Sequence, residues 1–356
     1  MRFVFVPYSA RGHVSPMLSV AAELVARGSQ VRMIAGSGFR SPIEAAGVIP
    51  VVSPVDHEVR VPVGHGVGAI ADRSRLWWRR VHAWRALAEV CAAELESGWP
   101  DTFVVDTHVW WAPGMITRRG GRVVPFWATH ARLARGSRPV VVNALEELQP
   151  RRSRFGTNFT FVGPLVGGVT TADPGITWDR LAGRVLVVSP GTVFARPVRF
   201  FREVADAFAG TEWTVLMATA HVDPRELGAL PANVFAHRWI PQLQLLRRAD
   251  VLLTHGGMNS VHEAVLEGVP MLLTPRSREQ RATASALRRL GLGEIVSGAE
   301  YLRGQADRLV SDPRVASRMA RLRHRALARN GAIDAAELLL ASARDGGGCD
   351  CSPRRS

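Results

Sequence analysis

Short apolar runs alternate with stretches whose apolar positions recur at helical spacing along most of the chain. Arg2–Pro7 reads as a buried strand, and after a Gly-containing loop Pro16–Arg27 reads as a helix closed by Gly28. Val31–Ala35 is a second strand, and Ile43–Ala46 is a short helix before Gly47. Thr102–Asp106, Arg122–Phe126 and Pro139–Asn143 read as further short strands. The rhythm breaks at Phe161–Gly175, which is rich in Gly, Pro and Thr and is the best linker candidate. It then restarts, with strands at Val185–Val188, Trp213–Met217, Val251–Leu253 and Met271–Leu273. Helices are expected at Val198–Phe208, Leu243–Arg248 and Ser260–Glu267. A last helical stretch, Ser317–Ala343, is long enough to pack back across both halves.

Strand–helix alternation of this kind predicts an α/β protein, with parallel sheets covered by helices. The break divides it into an N-terminal domain over 1–165 and a C-terminal domain over 166–340, with a cleft between them and a disordered tail over 341–356. Ligands of such sheets bind at the carboxyl ends of the strands. No repeat of fixed period is present.

Composition alters this picture in one respect. Hydrophobic residues make up 47% of the 356, which is globular, but the formal charge is +14 and all 45 basic residues are arginine. The arginines are dispersed as pairs such as Arg79-Arg80 and Arg247-Arg248 rather than clustered, so no nucleic-acid partner is expected. Codon usage in a GC-rich genome accounts for arginine without lysine, and an AT-rich coding sequence would refute that origin. Three cysteines (Cys91, Cys349 and Cys351) cannot build a disulfide framework. MRFVFVP is too brief an apolar run for a signal peptide, and no run is long enough to span a bilayer. A cytoplasmic location is therefore expected.

The segment from His237 to Gln280 carries the most chemistry. A strand ending at His255 turns through Gly256-Gly257 into a helix near Asn259 or Ser260. Glycines permit close backbone approach, and a helix N-terminus offers free N–H groups and partial positive charge, which together make a phosphate site. His255 is placed to donate to a phosphate oxygen. Ser260-x-x-Glu263 is equally a capping box, which needs no ligand. Upstream, the indole of Trp239 suits stacking on a nucleobase, and a carboxylate such as Glu263 can accept both hydroxyls of a ribose. In the first loop, SARGHVSPM, His13 lies between a Gly turn and the helix opened by Pro16. An imidazole can take a hydroxyl proton at neutral pH, or it can simply cap the helix.

This donor segment resembles the signature of the UDP-sugar-dependent glycosyltransferases, in particular the bacterial natural-product and macrolide enzymes. The resemblance covers most of the chain. It implies the GT-B fold, two facing Rossmann-like domains with an interdomain cleft. It also implies that Trp239 stacks on the base, that Gln242 and Glu263 meet the ribose, and that His255, Gly257, Asn259 and Ser260 hold the pyrophosphate. Glu279 and Gln280 would bind the sugar hydroxyls, and Thr192 in Ser189-Pro190-Gly191-Thr192 would contact a phosphate. Glu263 favours UDP over dTDP, whose ribose lacks the 2′-hydroxyl. Two departures stand out: Thr283 occupies a place where Asn is usual, and Glu279 is the less common acid.

In the other half the resemblance makes His13 the general base, oriented by Asp106 in VVDTHVWWAPG, with His108 a weaker rival and a strand-end cap the alternative for Asp106. The implied reaction is an inverting displacement of the nucleotide by an acceptor hydroxyl. No Asp-x-Asp motif occurs, so neither a metal nor another cofactor is expected. The partners are a nucleotide-sugar donor and a hydrophobic small-molecule acceptor. Trp77, Val81, Trp84 and Ala88 share one helical face, with Trp78, His82 and Arg85 on another. That Arg/Trp helix suits either an aromatic-lined acceptor pocket or a weak contact with an anionic membrane surface. Two rival readings are a lipid-acceptor glycosyltransferase of the cell envelope and a non-catalytic nucleotide-sugar-binding protein.

Overall fold

The computed structural model describes residues 1–53, 67–132, 138–167, 175–176, 178, 181, 183–191 and 196–344, the side chains of 67–80 excepted. The first sheet contains β1 (Arg2–Val6), β2 (Gln30–Ala35), β3 (Ile49–Val52), β4 (Thr102–Asp106), β5 (Val123–Trp127), β6 (Val140–Val142) and β7 (Phe159–Phe161). Its order is β3-β2-β1-β4-β5-β6-β7, and every pairing is parallel. The second sheet contains β8 (Arg184–Ser189), β9 (Trp213–Ala218), β10 (Val234–His237), β11 (Val251–Thr254), β12 (Met271–Leu273) and β13 (Gly293–Ile295). Its order is β10-β9-β8-β11-β12-β13, again all parallel.

These strands are continuous apolar runs because helices cover both faces of each sheet; β4, β9 and β11 are buried at every position. The covering helices of the first half are α1 (Arg11–Ala26), α2 (Arg40–Ala45), α3 (Val67–Glu96) and α4 (Ala112–Arg118). Those that follow are α5 (Val198–Ala207), α6 (Gln242–Leu246), α7 (Met258–Glu267), α8 (Arg278–Leu290), α9 (Leu302–Ser311), α10 (Pro313–Leu327) and α11 (Gly331–Arg344). The two halves share one apolar seam, in which Val140, Val142, Phe159 and Phe161 cluster with Val185, Leu252 and Met271. No described helix is long and apolar enough to cross a membrane.

The strand order reverses between β1 and β4 and again between β8 and β11. Val6 pairs with Val105 at the first reversal and Ser189 with Thr254 at the second. A crevice opens outside the carboxyl ends of the strands at such points. His13 and Asp106 lie at the first, and His255 lies at the second.

Among the elements that differ from the sequence pattern, two concern the joining of the halves. The predicted helix over Ser317–Ala343 is two helices. Asp312 caps α10, accepting from the Arg314 amide at 2.9 Å, and Asn330 caps α11, accepting from the Ile333 amide at 3.3 Å. The break lets α10 pack on α7 and α11 on α1, so the stretch does reach both halves. The start of the expected linker also carries structure, since Phe161 closes β7.

Gly331 is the point of closest approach, because a Cβ there would collide with the Val162 carbonyl. Gly331→Ala should lower unfolding stability by about 1–3 kcal/mol through overpacking, read as a shifted denaturant midpoint. An unchanged midpoint would show that α11 is not seated as described.

Candidate active site

The helix after β1 begins at Arg11, five residues before the expected opening at Pro16, which lies inside it. Its N-cap, Ala10, makes no side-chain cap, and the His13 ring does not cap the helix. Instead His13 Nδ1 lies 2.7 Å from Asp106 Oδ2. Asp106 is fully buried at the end of β4, so α1 and the neighbouring strand bring imidazole and carboxylate together. The carboxylate accepts the His108 amide at 2.8 Å and the Tyr8 amide at 3.3 Å, and its Oδ1 lies 3.2 Å from His108 Nδ1. Asp106 is not a helix cap, because α4 starts only at Ala112.

Burial opposes charge on both partners, but the pair outweighs it. His13 is held above the ordinary imidazole value by Asp106 and, further off, by Glu279. Asp106 is held far below the ordinary carboxylate range by His13 and His108. An ionised carboxylate only accepts, so Nδ1 carries the proton and Nε2 is left as the basic nitrogen. The Tyr8 and His108 rings stand edge-on to His13, with centroids at 5.4 and 4.5 Å. His13, Asp106 and His108 also offer ligand atoms within 4.8 Å of one another, the spacing of a divalent ion site. Both Asp106 oxygens, however, are already engaged by the histidines.

Across the cleft, Gly256 (φ +82°) turns the chain from β11 into α7, a left-handed conformation that favours glycine. The N-cap of α7 is Gly257, with no side-chain cap, so its first amides face outward unbonded by side chains. The expected alternative, a Ser260–Glu263 capping box, is not formed. Glu263 instead holds Gln242, with Nε2 donating to Oε2 at 2.6 Å. Burial pushes the Glu263 carboxyl up to about 7, against the pull of Gln242 and Arg11. His255 packs against Gly191 and Gly257, where an added Cβ would strike its ring. Burial, assisted by Arg196, lowers His255 to about 4 against a hydrogen bond to the Ser189 backbone, so at neutral pH the ring is uncharged. Trp239, 40% exposed, follows β10 and presents the indole expected of a stacking platform.

A hydrogen bond links the two halves. Pro16 has no N–H, which frees the Gly12 carbonyl four residues back, and Asn259 Nδ2 donates to it at 3.2 Å. Asn259, expected at the pyrophosphate, is thereby tied to the first turn of α1, which carries His13.

The capping box of this region is Ser277–Gln280 at the start of α8. Gln280 is buried, and its Oε1 accepts from the Arg276 and Ser277 amides at 2.8 and 3.2 Å, so this side chain secures the helix. Glu279 beside it is half-buried and acts electrostatically on His13 and on His130. Thr283, the departure from the usual Asn, is fully buried, and its hydroxyl donates to the Glu279 carbonyl at 3.3 Å. Thr192 lies outside the described residues, as do the side chains of Trp77 and Trp78.

The buried seam of α3 runs through Ala83, Leu87 and Cys91, one position off the face expected from Trp84 and Ala88. Trp84 is left half-buried, edge-on to Trp110 at 6.1 Å, and Trp110 is 68% exposed. Sequence reasoning did not find Tyr8 or Arg11. Arg11 could have been suspected from its place before Gly12-His13, where its charge reaches Glu263.

Known proteins match this chain in sequence and fold. The chain is 30% identical to the oleandomycin glycosyltransferase of Streptomyces antibioticus, over 93% of this chain and 88% of that one. The chain belongs to this glycosyltransferase family. The family model described as UDP-glucoronosyl and UDP-glucosyl transferase matches residues 180–298 of the enzyme, a span that includes the Gly256-Gly257 turn. Over 52% of the glycosyltransferase it is 33% identical to the demethyllactenocin mycarosyltransferase of Streptomyces fradiae, covering 41% of that chain. Among solved structures, the calicheamicin glycosyltransferase CalG4 is 27% identical with a TM-score of 0.77, covering 98% of this chain and 99% of its own. The glycosyltransferase is thus of the bacterial natural-product type and has the GT-B fold.

Proposed function

We propose that this glycosyltransferase moves a sugar from a nucleoside diphosphate, UDP in preference to dTDP, to a hydroxyl of a hydrophobic small-molecule natural product, with inversion. The observation that carries the reading is the buried Asp106 holding His13 by Nδ1, one hydrogen bond (Asn259 to Gly12) away from the donor turn.

His13 Nε2 takes the acceptor proton as the hydroxyl oxygen attacks the anomeric carbon. The bond to the diphosphate breaks on the opposite face, so the configuration inverts. Asp106 stabilises the imidazolium that forms. The α7 amides receive the charge that develops on the leaving diphosphate, in a partly buried turn against which His255 packs. Because those groups supply the electrostatic stabilisation, no metal ion is required, and a chelator should leave the rate unchanged. Glu263, already oriented by Gln242, accepts the ribose hydroxyls, which is the basis for preferring UDP. Trp110 and Trp84 offer an apolar aromatic surface for the acceptor.

Both His13 and Glu263 work deprotonated. His13 is raised above its usual value of about 6.5 and Glu263 lies near 7, so kcat/KM should climb with pH through and above neutrality. A flat profile between about pH 5.5 and 8.5 would contradict these roles.

A panel of UDP- and dTDP-sugars incubated with hydrophobic polyol and phenol acceptors, followed by mass spectrometry, tests the reading. Acceptor masses should grow by one sugar, most readily with UDP donors. Binding of UDP-sugars with no transfer to any hydroxyl would favour a non-catalytic role.

A further inference from the structure

We propose that Arg196, with Arg276 beside it, is a ligand for the donor diphosphate and neutralises the leaving group in a chain that has no lysine. The inference rests on the glycosyltransferase reading above and adds two residues to its site.

Arg196 is anchored without being neutralised. Its Nη2 donates to the carbonyl and hydroxyl of Thr274 at 2.6 and 2.5 Å, and its guanidinium lies over the Phe200 ring at 4.5 Å. Its Nε is buried and makes no hydrogen bond among the described residues. No ion pair among the described residues involves it, and its charged neighbour is another arginine. Burial first, and then Arg276, bring Arg196 down to about 10, so it stays charged at neutral pH. Holding a half-buried cation beside a like charge is unfavourable unless an anion joins them.

The position says which anion. Thr274 follows β12, whose neighbour β11 delivers His255 to the donor turn. Arg196 lies near enough to His255 to depress its pKa. Arg276 immediately precedes Ser277, the cap of α8. An anion held here has His255 and two guanidinium groups around it. A diphosphate carries the multiple charge and spread of oxygens that a fixed guanidinium fork matches. As the sugar bond breaks, negative charge grows on those oxygens, so the same contacts favour departure.

The test is calorimetric titration of uridine, UDP, UDP-glucose and UDP-glucuronate into the wild-type chain, Arg196→Gln, Arg196→Lys and Arg276→Gln at one salt concentration. Arg196→Gln should weaken UDP by about 10–100-fold and leave uridine unchanged, the loss expected for one charge-assisted contact. Arg196→Lys, which keeps the charge, should recover part of the loss. Arg276→Gln, at an exposed position that folding tolerates, should weaken UDP by about 3–10-fold.

Equal UDP affinity in wild type and Arg196→Gln would overturn the proposal while leaving the glycosyltransferase reading intact. If Arg196→Gln weakened only UDP-glucuronate, the cations would be reading a sugar carboxylate, and the diphosphate assignment would fall. A wild-type chain that binds neither uridine nor UDP would overturn the donor reading itself.

Discussion

His13→Ala should reduce kcat by about 10²–10⁴-fold and leave UDP binding intact. The loss follows from removing the imidazole that the buried, ionised carboxylate holds at 2.7 Å and that takes the acceptor proton. Residual transfer would come from the donor turn, which the substitution does not touch. The fold should survive, because Asp106 keeps the His108 and Tyr8 amides as donors. Steady-state turnover and UDP calorimetry on the same preparation separate the outcomes. Near-wild-type turnover would remove His13 from the chemistry. A parallel loss of UDP affinity would make it a donor ligand instead of a base.

Asp106→Asn should be almost as damaging, through the tautomer of His13. The His108 amide, at 2.8 Å, is a closer donor than the Tyr8 amide at 3.3 Å on the other oxygen, so the new side chain keeps its carbonyl oxygen on the His108 side. Its NH2 then faces His13 Nδ1 and donates to it. The ring proton is forced onto Nε2, the nitrogen that must be free to accept. We expect kcat to fall by about 10²–10⁴-fold with UDP affinity retained. The pKa of His13 should also fall, because the carboxylate that raises it is gone. The remaining activity should therefore show its acid limb at lower pH. Unchanged turnover would mean that Asp106 only organises the loop around His108.

The architecture was readable because strands buried on both faces leave unbroken apolar runs, and the intervening helices carry Gly or Pro at their ends. The Gly-Gly turn, the preceding strand and the downstream carboxylate were readable for the same reason: each is a local pattern. What escaped depends on distant partners. Pro16 looks like the first residue of a helix, yet the helix starts at Arg11, and the missing N–H serves the Asn259 contact instead. Ser260-x-x-Glu263 and Ser277-x-x-Gln280 both have capping-box spacing. Only the structure shows that Gln242 claims Glu263 while Gln280 closes its own box. The α3 seam through Ala83, Leu87 and Cys91 was hidden by bulkier tryptophans one position away. Arg196 carries no sequence motif, and its anchoring on Thr274 spans four strands of chain order.

The stereochemistry of transfer tests the role of His13 most directly. The measurement is the anomeric configuration of the glycoside formed from α-linked UDP-glucose and a simple phenol, read from the proton coupling at the anomeric carbon. With His13 activating the acceptor for a single displacement, the product is the β-glycoside. An α-glycoside would contradict the account, because retention requires either a covalent intermediate on the enzyme or attack from the face of the departing diphosphate.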